Sequence, residues 1–395
     1  MIFRVTKILA FCVVGLLSMN SCSDDATMLF GFSNGEDATV VIGQENFESQ
    51  LENQGGAADA DTLGVNQATY AVFDGRLYLP DDGNNRTLVF NSIPVVNGAD
   101  ADFVLGQPDF TTNDTGLGAG NMWRPQGVSA GNSKLAIADG SNKRVLIFNT
   151  IPTSGAPDNT AVAADVVVGQ TDFGLAATGC SASMIRGPGA VQIAGERLLV
   201  LDPGNHRVIW WNTIPTTNGE PADGVIGQPN LDTCTANTGG RSASSLSFPI
   251  GLWSDGTKVA IVDQNNNRVL LWNTFPESNN EPADLVLGQP DFESADINQL
   301  PVAADRFWYP YRGVDFSGQQ LCVTDTANNR VLIWDSWPAT NQQAADRVLG
   351  QPDFVSYTAH NAGIGANTLS QPTSCRFYRN GLIVGDSSYR ALIYQ

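Results

Sequence analysis

The sequence predicts an all-β fold, a six-bladed β-propeller with four antiparallel strands in each blade. One unit of about sixty residues repeats along the chain, and its clearest copy, DQNNNRVLLWNTFPESNNEPADLVLGQPDF, spans 263–292. Each copy contains short aliphatic runs separated by turns rich in Gly, Asn and Asp, the pattern of strands joined by hairpins. Because runs such as RVLLW are apolar on both faces, neighbouring sheets must cover them, as the blades of a propeller do.

Two kinds of marker count the units. A Gly-Gln pair ends an aliphatic run six times, and an arginine follows an Asp/Asn turn six times. The pairs begin at Gly43, Gly106, Gly169, Gly227, Gly288 and Gly350, and the arginines are Arg86, Arg144, Arg207, Arg268, Arg330 and Arg390. A period this regular indicates one closed repeat array of six units rather than several separate domains.

The four strands of a unit follow one another in a fixed order. The first strand comes after a Pro-x-Gly entry, as in PQGVSA from Pro125 and PIGLWS from Pro249. The second strand ends at an aspartate, as in VAIVD at Asp263, and the third starts at the arginine of the turn, here Arg268. The fourth strand ends at the Gly-Gln pair, and in most copies a proline follows and stops it, because proline cannot donate to the sheet.

The two ends of the repeat array complement each other. Near the N-terminus, ATVVIGQENF from Ala38 is only a fourth strand with its tail, whereas the last unit stops after its third strand at Gln395. We therefore expect the N-terminal strand to complete the C-terminal blade, so that 37–395 forms one closed domain.

The repeated D-x-x-N-x-R-V string, followed by an aliphatic-aromatic strand end, resembles the NHL-repeat class of six-bladed propellers. The resemblance covers nearly all of the chain after the N-terminal segment. The long period and the GQPDF tail make the chain similar to a bacterial offshoot of that class. What this resemblance implies is the fold, and it transfers no functional residues.

The N-terminal segment 1–21 is predicted to be a signal peptide. It has Arg4 and Lys7, then an apolar run, then small residues before Cys22. This order resembles a bacterial lipoprotein signal, which implies lipid attachment at Cys22, a short linker over 22–36 and a place on the outer membrane or cell surface. Ordinary secretory cleavage stays open, and it would leave a periplasmic or secreted soluble protein.

The charge and the cysteines limit the partners and the compartment. The formal net charge of -19 disfavours nucleic acid and anionic lipid surfaces, so the only membrane contact expected is the lipid anchor. An exported chain permits disulfides. Cys180 and Cys234 occupy equivalent loops of successive repeats and are predicted to form a bridge. Cys322 and Cys375 lie in strand patterns, where buried free thiols and a bond both stay open.

Most chemical motifs favour scaffold over catalysis. The six Asp/Arg turn pairs, such as Asp263 with Arg268, repeat in every unit, whereas a catalytic acid is normally unique. The Asn-rich turn 263–267 offers oxygens to calcium but lacks the glutamate of an EF-hand loop, so no cofactor is predicted and calcium stays an alternative. Only two histidines exist, too few for a zinc set. A calcium-dependent hydrolase resembling lactonase propellers is the alternative function, with Asp255 and Asp315 as its nearest acids.

The loops ahead of each first strand differ among the repeats, whereas the strands do not. Variable loops on a fixed scaffold usually carry binding. The candidate ligand-binding residues at the mouth of the channel are Trp123, Arg124, Arg186, Phe248, Trp308, Tyr309, Tyr311 and Arg312. The other interpretation is that such loops only pack between blades through Met122, Met184, Leu246, Phe307 and Leu369. The predicted function is a monomeric, non-enzymatic binding module of the cell envelope for a protein, peptide or glycan.

Overall fold

The computed structural model describes residues 30–156, 160–297, 301–361 and 363–395. The predicted signal segment and Cys22 lie outside the described residues. Within them, 24 strands form six antiparallel sheets of four strands each. This is the six-bladed β-propeller predicted from the repeat. No helix in the described part of the chain is long and apolar enough to cross a membrane.

Blades one to three take their strands in chain order. Blade one contains β2 (Ala71–Phe73), β3 (Arg76–Asp81), β4 (Arg86–Phe90) and β5 (Phe103–Leu105). Blade two contains β6 (Pro125–Gly131), β7 (Lys134–Asp139), β8 (Arg144–Phe148) and β9 (Val166–Val168). Blade three contains β10 (Ala190–Ala194), β11 (Arg197–Asp202), β12 (Arg207–Trp211) and β13 (Gly224–Ile226).

Blades four and five repeat this order, and blade six joins both ends of the chain. Blade four contains β14 (Pro249–Ser254), β15 (Val259–Asp263), β16 (Arg268–Trp272) and β17 (Leu285–Leu287). Blade five contains β18 (Val314–Phe316), β19 (Leu321–Asp325), β20 (Arg330–Trp334) and β21 (Arg347–Leu349). Blade six contains β22 (Ser374–Tyr378), β23 (Gly381–Asp386), β24 (Arg390–Tyr394) and β1 (Val40–Ile42), which pairs with β24.

The core lies in the seams between blades. Each of six hydrophobic clusters takes residues from two adjacent blades, and one of them packs Val40 and Ile383 of blade six against Leu77 and Leu79 of blade one. Every residue of the third strands is buried, as the two-sided apolar runs predicted. The first strands of adjacent blades touch one another around the axis, so burial of apolar surface between blades holds the ring together.

Two disulfides join neighbouring blades. Cys180 bonds to Cys234, which links the loops that lead into blades three and four. Cys322 on β19 bonds to Cys375 on β22, so the structure pairs the two cysteines whose state the sequence left open. Each bond closes a loop of about one repeat, and the cross-links therefore reinforce the seams that separate successive blades.

The two faces of the ring are built from different connections. We call the entry face the one that carries the loops into each first strand and the turns between second and third strands. The opposite face carries the remaining connections. The described N-terminus starts on the opposite face, where the ring of Phe30 stacks on Phe377 with centroids 5.9 Å apart and the Phe30 backbone bonds to Gln320.

Candidate functional site

The entry face rests on a buried network that repeats in every blade. In blade four, Oδ2 of Asp263 accepts hydrogen bonds from Arg268 Nε at 2.8 Å and from Asn266 Nδ2 at 2.7 Å. Its Oδ1 accepts the backbone N–H of Ser247 at 2.7 Å. Burial raises the pKa of the Asp263 carboxyl, and the neighbouring Arg268 lowers it. The carboxylate therefore acts as a junction between the turn and the loop.

The arginine of each network fixes the backbone of the entry loop. Arg268 Nη2 donates to the carbonyls of Ser242 and Ser245 at 3.0 and 2.8 Å, and its Nη1 donates to the carbonyl of Phe292. The equivalent arginines of the other blades make the same kind of bonds, and all six are completely buried. These groups support the loops and face no solvent, which agrees with their repetition in the sequence.

In blades two to six, the two residues immediately before the entry proline contact this network directly. We call these two residues the entry pair. The entry pairs of blades two to six are Trp123–Arg124, Arg186–Gly187, Ser247–Phe248, Trp308–Tyr309 and Ser370–Gln371. The first member donates its backbone N–H to the network aspartate in each of these blades. The entry pair is thus the part of the loop nearest to the fixed scaffold.

The second member of the entry pair has a left-handed backbone in four blades. Its φ is 52° at Arg124, 53° at Phe248, 55° at Tyr309 and 47° at Gln371. A side-chain-bearing residue rarely takes this conformation, and a following proline disfavours the helical alternatives, so the surroundings must impose it. The result is a stiff backbone that presents its side chain outward.

A hydrogen bond from the preceding blade imposes this conformation. Asn85, Asn267 and Asn329 accept the N–H of the second member through Oδ1 at 2.8–3.1 Å. In blade three the equivalent residue is His206, whose Nδ1 accepts the N–H of Phe248 at 2.9 Å. The acceptor role requires an unprotonated Nδ1. Burial, followed by the charge of Arg186, lowers the pKa of His206 and favours that state.

The entry pairs carry most of the exposed aromatic surface in the described residues. Trp123 is 45% exposed, Phe248 37%, Trp308 39% and Tyr309 49%. The remaining exposed large aromatic side chain, Tyr357, lies in the loop that leads into blade six. All of this surface is therefore on the entry face. The exposed arginines Arg124 and Arg186 lie beside it, bonded to Asp82 and to the carbonyl of Gly204.

Two of the predicted mouth residues occupy other places. Arg312 is 3% exposed and points into the axial channel, where it donates to the carbonyl of Gly189 at 2.5 Å and to Gln126 Oε1 at 2.6 Å. Tyr311 is half-buried and packs in the seam between blades four and five. Two residues separate Pro310 from Gly313, whereas one residue separates the proline from the glycine in the Pro-x-Gly entries of blades two and four.

The predicted packing residues of the loops need one correction. Met122, Leu246, Phe307 and Leu369 are buried, but in blade three the buried residue is Ile185 and not Met184. Each of these side chains covers the glycine of a Gly-Gln pair. In blade four a Cβ on Gly288, whose φ is 83°, would lie 2.2 Å from the Phe307 ring. The glycine is needed both for its backbone and for this contact.

The acids considered for a metal site are engaged elsewhere. Asp315 is buried, pairs with Arg376 at 2.9 Å and accepts the N–H of Phe377 at 2.7 Å, so it joins blades five and six. Asp255 caps a turn on the opposite face. The oxygen of Asn267 is used by Tyr309, as described above. No group of three or more His, Cys, Asp or Glu side chains converges in the described part of the chain.

A small cavity lies on the axis of the ring, in the axial channel. Its walls come from the first strands and their entries, namely Thr69, Tyr70, Val128, Val191, Gln192, Leu252, Arg312, Val314, Cys375 and Arg376. The cavity that they leave measures about 20 Å³, enough for an ordered water but too small for an organic ligand. A ligand of any size must therefore bind on the entry face or elsewhere on the surface.

Comparison with known proteins gives distant structural likenesses alone. No family model matches the chain, and no curated protein matches it. A putative 6-phosphogluconolactonase from Bacteroides uniformis is 15% identical with a TM-score of 0.46, and the match covers 87% of each chain. Virginiamycin B lyase from Staphylococcus aureus is 10% identical with a TM-score of 0.42, covering 82% of this chain and 93% of that one.

A streptogramin B lyase is also similar, with 12% identity, a TM-score of 0.43 and coverage of 89% of this chain and 96% of that one. Similarities this distant do not indicate an activity for this chain. The resemblance to NHL repeats stays a prediction.

Proposed function

We propose that this protein is a non-enzymatic binding module of the bacterial cell envelope. Its ligand is a protein, peptide or glycan held on the entry face. The observation that carries the proposal is the set of four exposed aromatic side chains, Trp123, Phe248, Trp308 and Tyr309, each on backbone whose N–H is hydrogen-bonded to a scaffold turn.

Rigid aromatic side chains are well suited to binding. Tryptophan and tyrosine offer a large contact area and lose little side-chain entropy when a ligand arrives. Here the backbone is held as well, because the N–H groups of Trp308 and Tyr309 are bonded to Asp325 and Asn267. Little ordering cost then remains at the moment of binding, and such preorganisation favours affinity.

Attachment through a lipid at Cys22 is part of the same proposal. Phe30, the first described residue, packs on the face opposite to these aromatic side chains. A chain anchored in this way would direct its entry face away from the membrane, toward material outside it.

The calcium-dependent hydrolase has less support. Its nearest acids are Asp315 and Asp255. Asp315 forms an ion pair between blades five and six, whereas Asp255 caps a turn on the opposite face. The channel mouth would have to supply several free carboxylate or amide oxygens to hold calcium. No observation on the described residues favours that function over binding.

Affinity capture from the native envelope tests the proposal. The bait is the full-length protein, with W123A/W308A as the variant and V95S/V96S as the matched control, since Val95 and Val96 are exposed on the opposite face. We expect the first variant to lose the captured ligand and the second to retain it. Equal capture by all three proteins would refute binding at the entry face.

A further inference from the structure

The axial channel contains a buried arginine, Arg312, that forms no ion pair with any described residue. Arg312 donates to two neutral oxygens, and no carboxylate of the described residues lies within ion-pair distance of it. Asp82 acts on Arg312 through space, but it is bonded to Arg124 at 3.1 Å and to the N–H of Gln67 at 3.1 Å. The guanidinium of Arg312 is therefore a buried cation without a dedicated counter-charge.

A second guanidinium lines the same cavity. Arg376 uses its Nη1 to pair with Asp315 at 2.9 Å, so that pair is neutral as a whole. The Nε atoms of both Arg312 and Arg376 are buried and have no hydrogen-bond partner. Arg312 and Arg376 both line the cavity of about 20 Å³, and each has one donor nitrogen without a partner among the described residues, although the Arg376 side chain is 25% exposed.

We propose that this cavity binds a small monovalent anion, with chloride the most abundant candidate, between Arg312 and Arg376. A buried charge without a partner is far more costly than a buried neutral group, and an anion removes that cost whereas a water molecule does not. A cavity of about 20 Å³ is close to the volume of a single atom-sized ion, so it suits chloride or bromide better than phosphate, sulfate or a carboxylic acid. The site is independent of any ligand on the entry face.

Crystals grown from the full-length protein in bromide, measured at the bromine absorption edge, test the site directly. We expect an anomalous peak within hydrogen-bonding distance of both Nε atoms. A peak absent from the channel, with a water in its place, overturns the proposal.

Thermal melts give the second measurement. At matched ionic strength, chloride should raise the melting temperature relative to gluconate by about 2 °C for each tenfold increase above its dissociation constant. The variant R312Q should lose this difference, and R379Q, which alters an exposed arginine on the opposite face, should keep it. Identical melts of the native protein in chloride and gluconate would also overturn the proposal. If R312Q does not fold, the bromide crystals and the native melts still decide.

Discussion

The network aspartates and the entry pairs are joined by direct hydrogen bonds, yet they differ in burial, in repetition and in chemistry. Asp263 and Arg268 are fully buried and have counterparts in all six blades. Trp308 and Tyr309 are exposed, and no two entry pairs have the same sequence. The difference separates two tasks: the repeated groups hold the loops in place, and the groups that do not repeat are free to contact a partner.

The largest effect is expected from breaking the repeated network. R268A removes the partner of the buried Asp263 and frees three loop carbonyls, which should cost about 3–5 kcal/mol of unfolding free energy. Urea unfolding measures this cost. R124A is the control, because the Arg124 side chain is half-exposed; its partner Asp82 is buried but keeps the hydrogen bond from the Gln67 N–H, so the loss should be smaller, about 1–2 kcal/mol. Equal losses in the two variants would contradict the division between network and entry pairs.

A smaller loss is expected at the glycine beneath an entry loop. G288A combines a left-handed backbone with a Cβ 2.2 Å from Phe307, so we expect about 2–4 kcal/mol of destabilisation by urea unfolding. Gly75 has a similar φ of 73° but no atom near its Cβ, and G75A should cost only about 1 kcal/mol. If G288A and G75A lose the same unfolding free energy, contact with Phe307 is not the reason that glycine is required at position 288.

His206 allows the seam between blades three and four to be tested by pH. The pKa of His206 is lowered in the fold, mainly by burial, so the unfolded chain binds more protons as the pH falls below about 6.5. Stability that is present above this pH should therefore be lost below it. The variant H206N supplies the asparagine acceptor found in three other blades. Between pH 7 and pH 5, its unfolding free energy should fall by about 1 kcal/mol less than that of the native protein, as measured by urea unfolding at each pH.

His360 also has a lowered pKa because of burial, so the native protein and H206N share its contribution. The difference between their unfolding curves isolates His206. Parallel curves from pH 7 to pH 5 would mean that the bond to Phe248 does not depend on the imidazole being neutral.

The smallest effect on stability is expected at the entry pairs themselves. W308A removes an exposed side chain and keeps the N–H bond to Asp325, so unfolding free energy should change by about 0.5 kcal/mol or less. Loss of ligand capture without loss of stability would sharpen the contrast with R268A. A loss of several kcal/mol would instead assign Trp308 to packing.

The sequence allowed the six-bladed fold to be predicted because the pattern of each strand and turn occurs six times along the chain. The sequence was less informative about individual side chains at positions that depart from the repeat pattern. The extra residue near Arg312 is visible in PYRG, but only the geometry of the ring reveals that the arginine points into the channel. Likewise, Met184 and Ile185 are adjacent apolar residues, and their roles depend on which one reaches Gly169. The pairing of Asp315 with Arg376 crosses between blades and leaves no local pattern.

The pairing of β1 with β24 has a mechanical consequence. β1 runs from the opposite face toward the entry face, and Val40, Val41 and Ile42 pair with Ile393, Leu392 and Ala391. When a ligand on the entry face is pulled while the chain is held ahead of Phe30, the force runs along these strands. The hydrogen bonds are then loaded together in shear instead of being opened one at a time, which makes blade six a mechanical clamp.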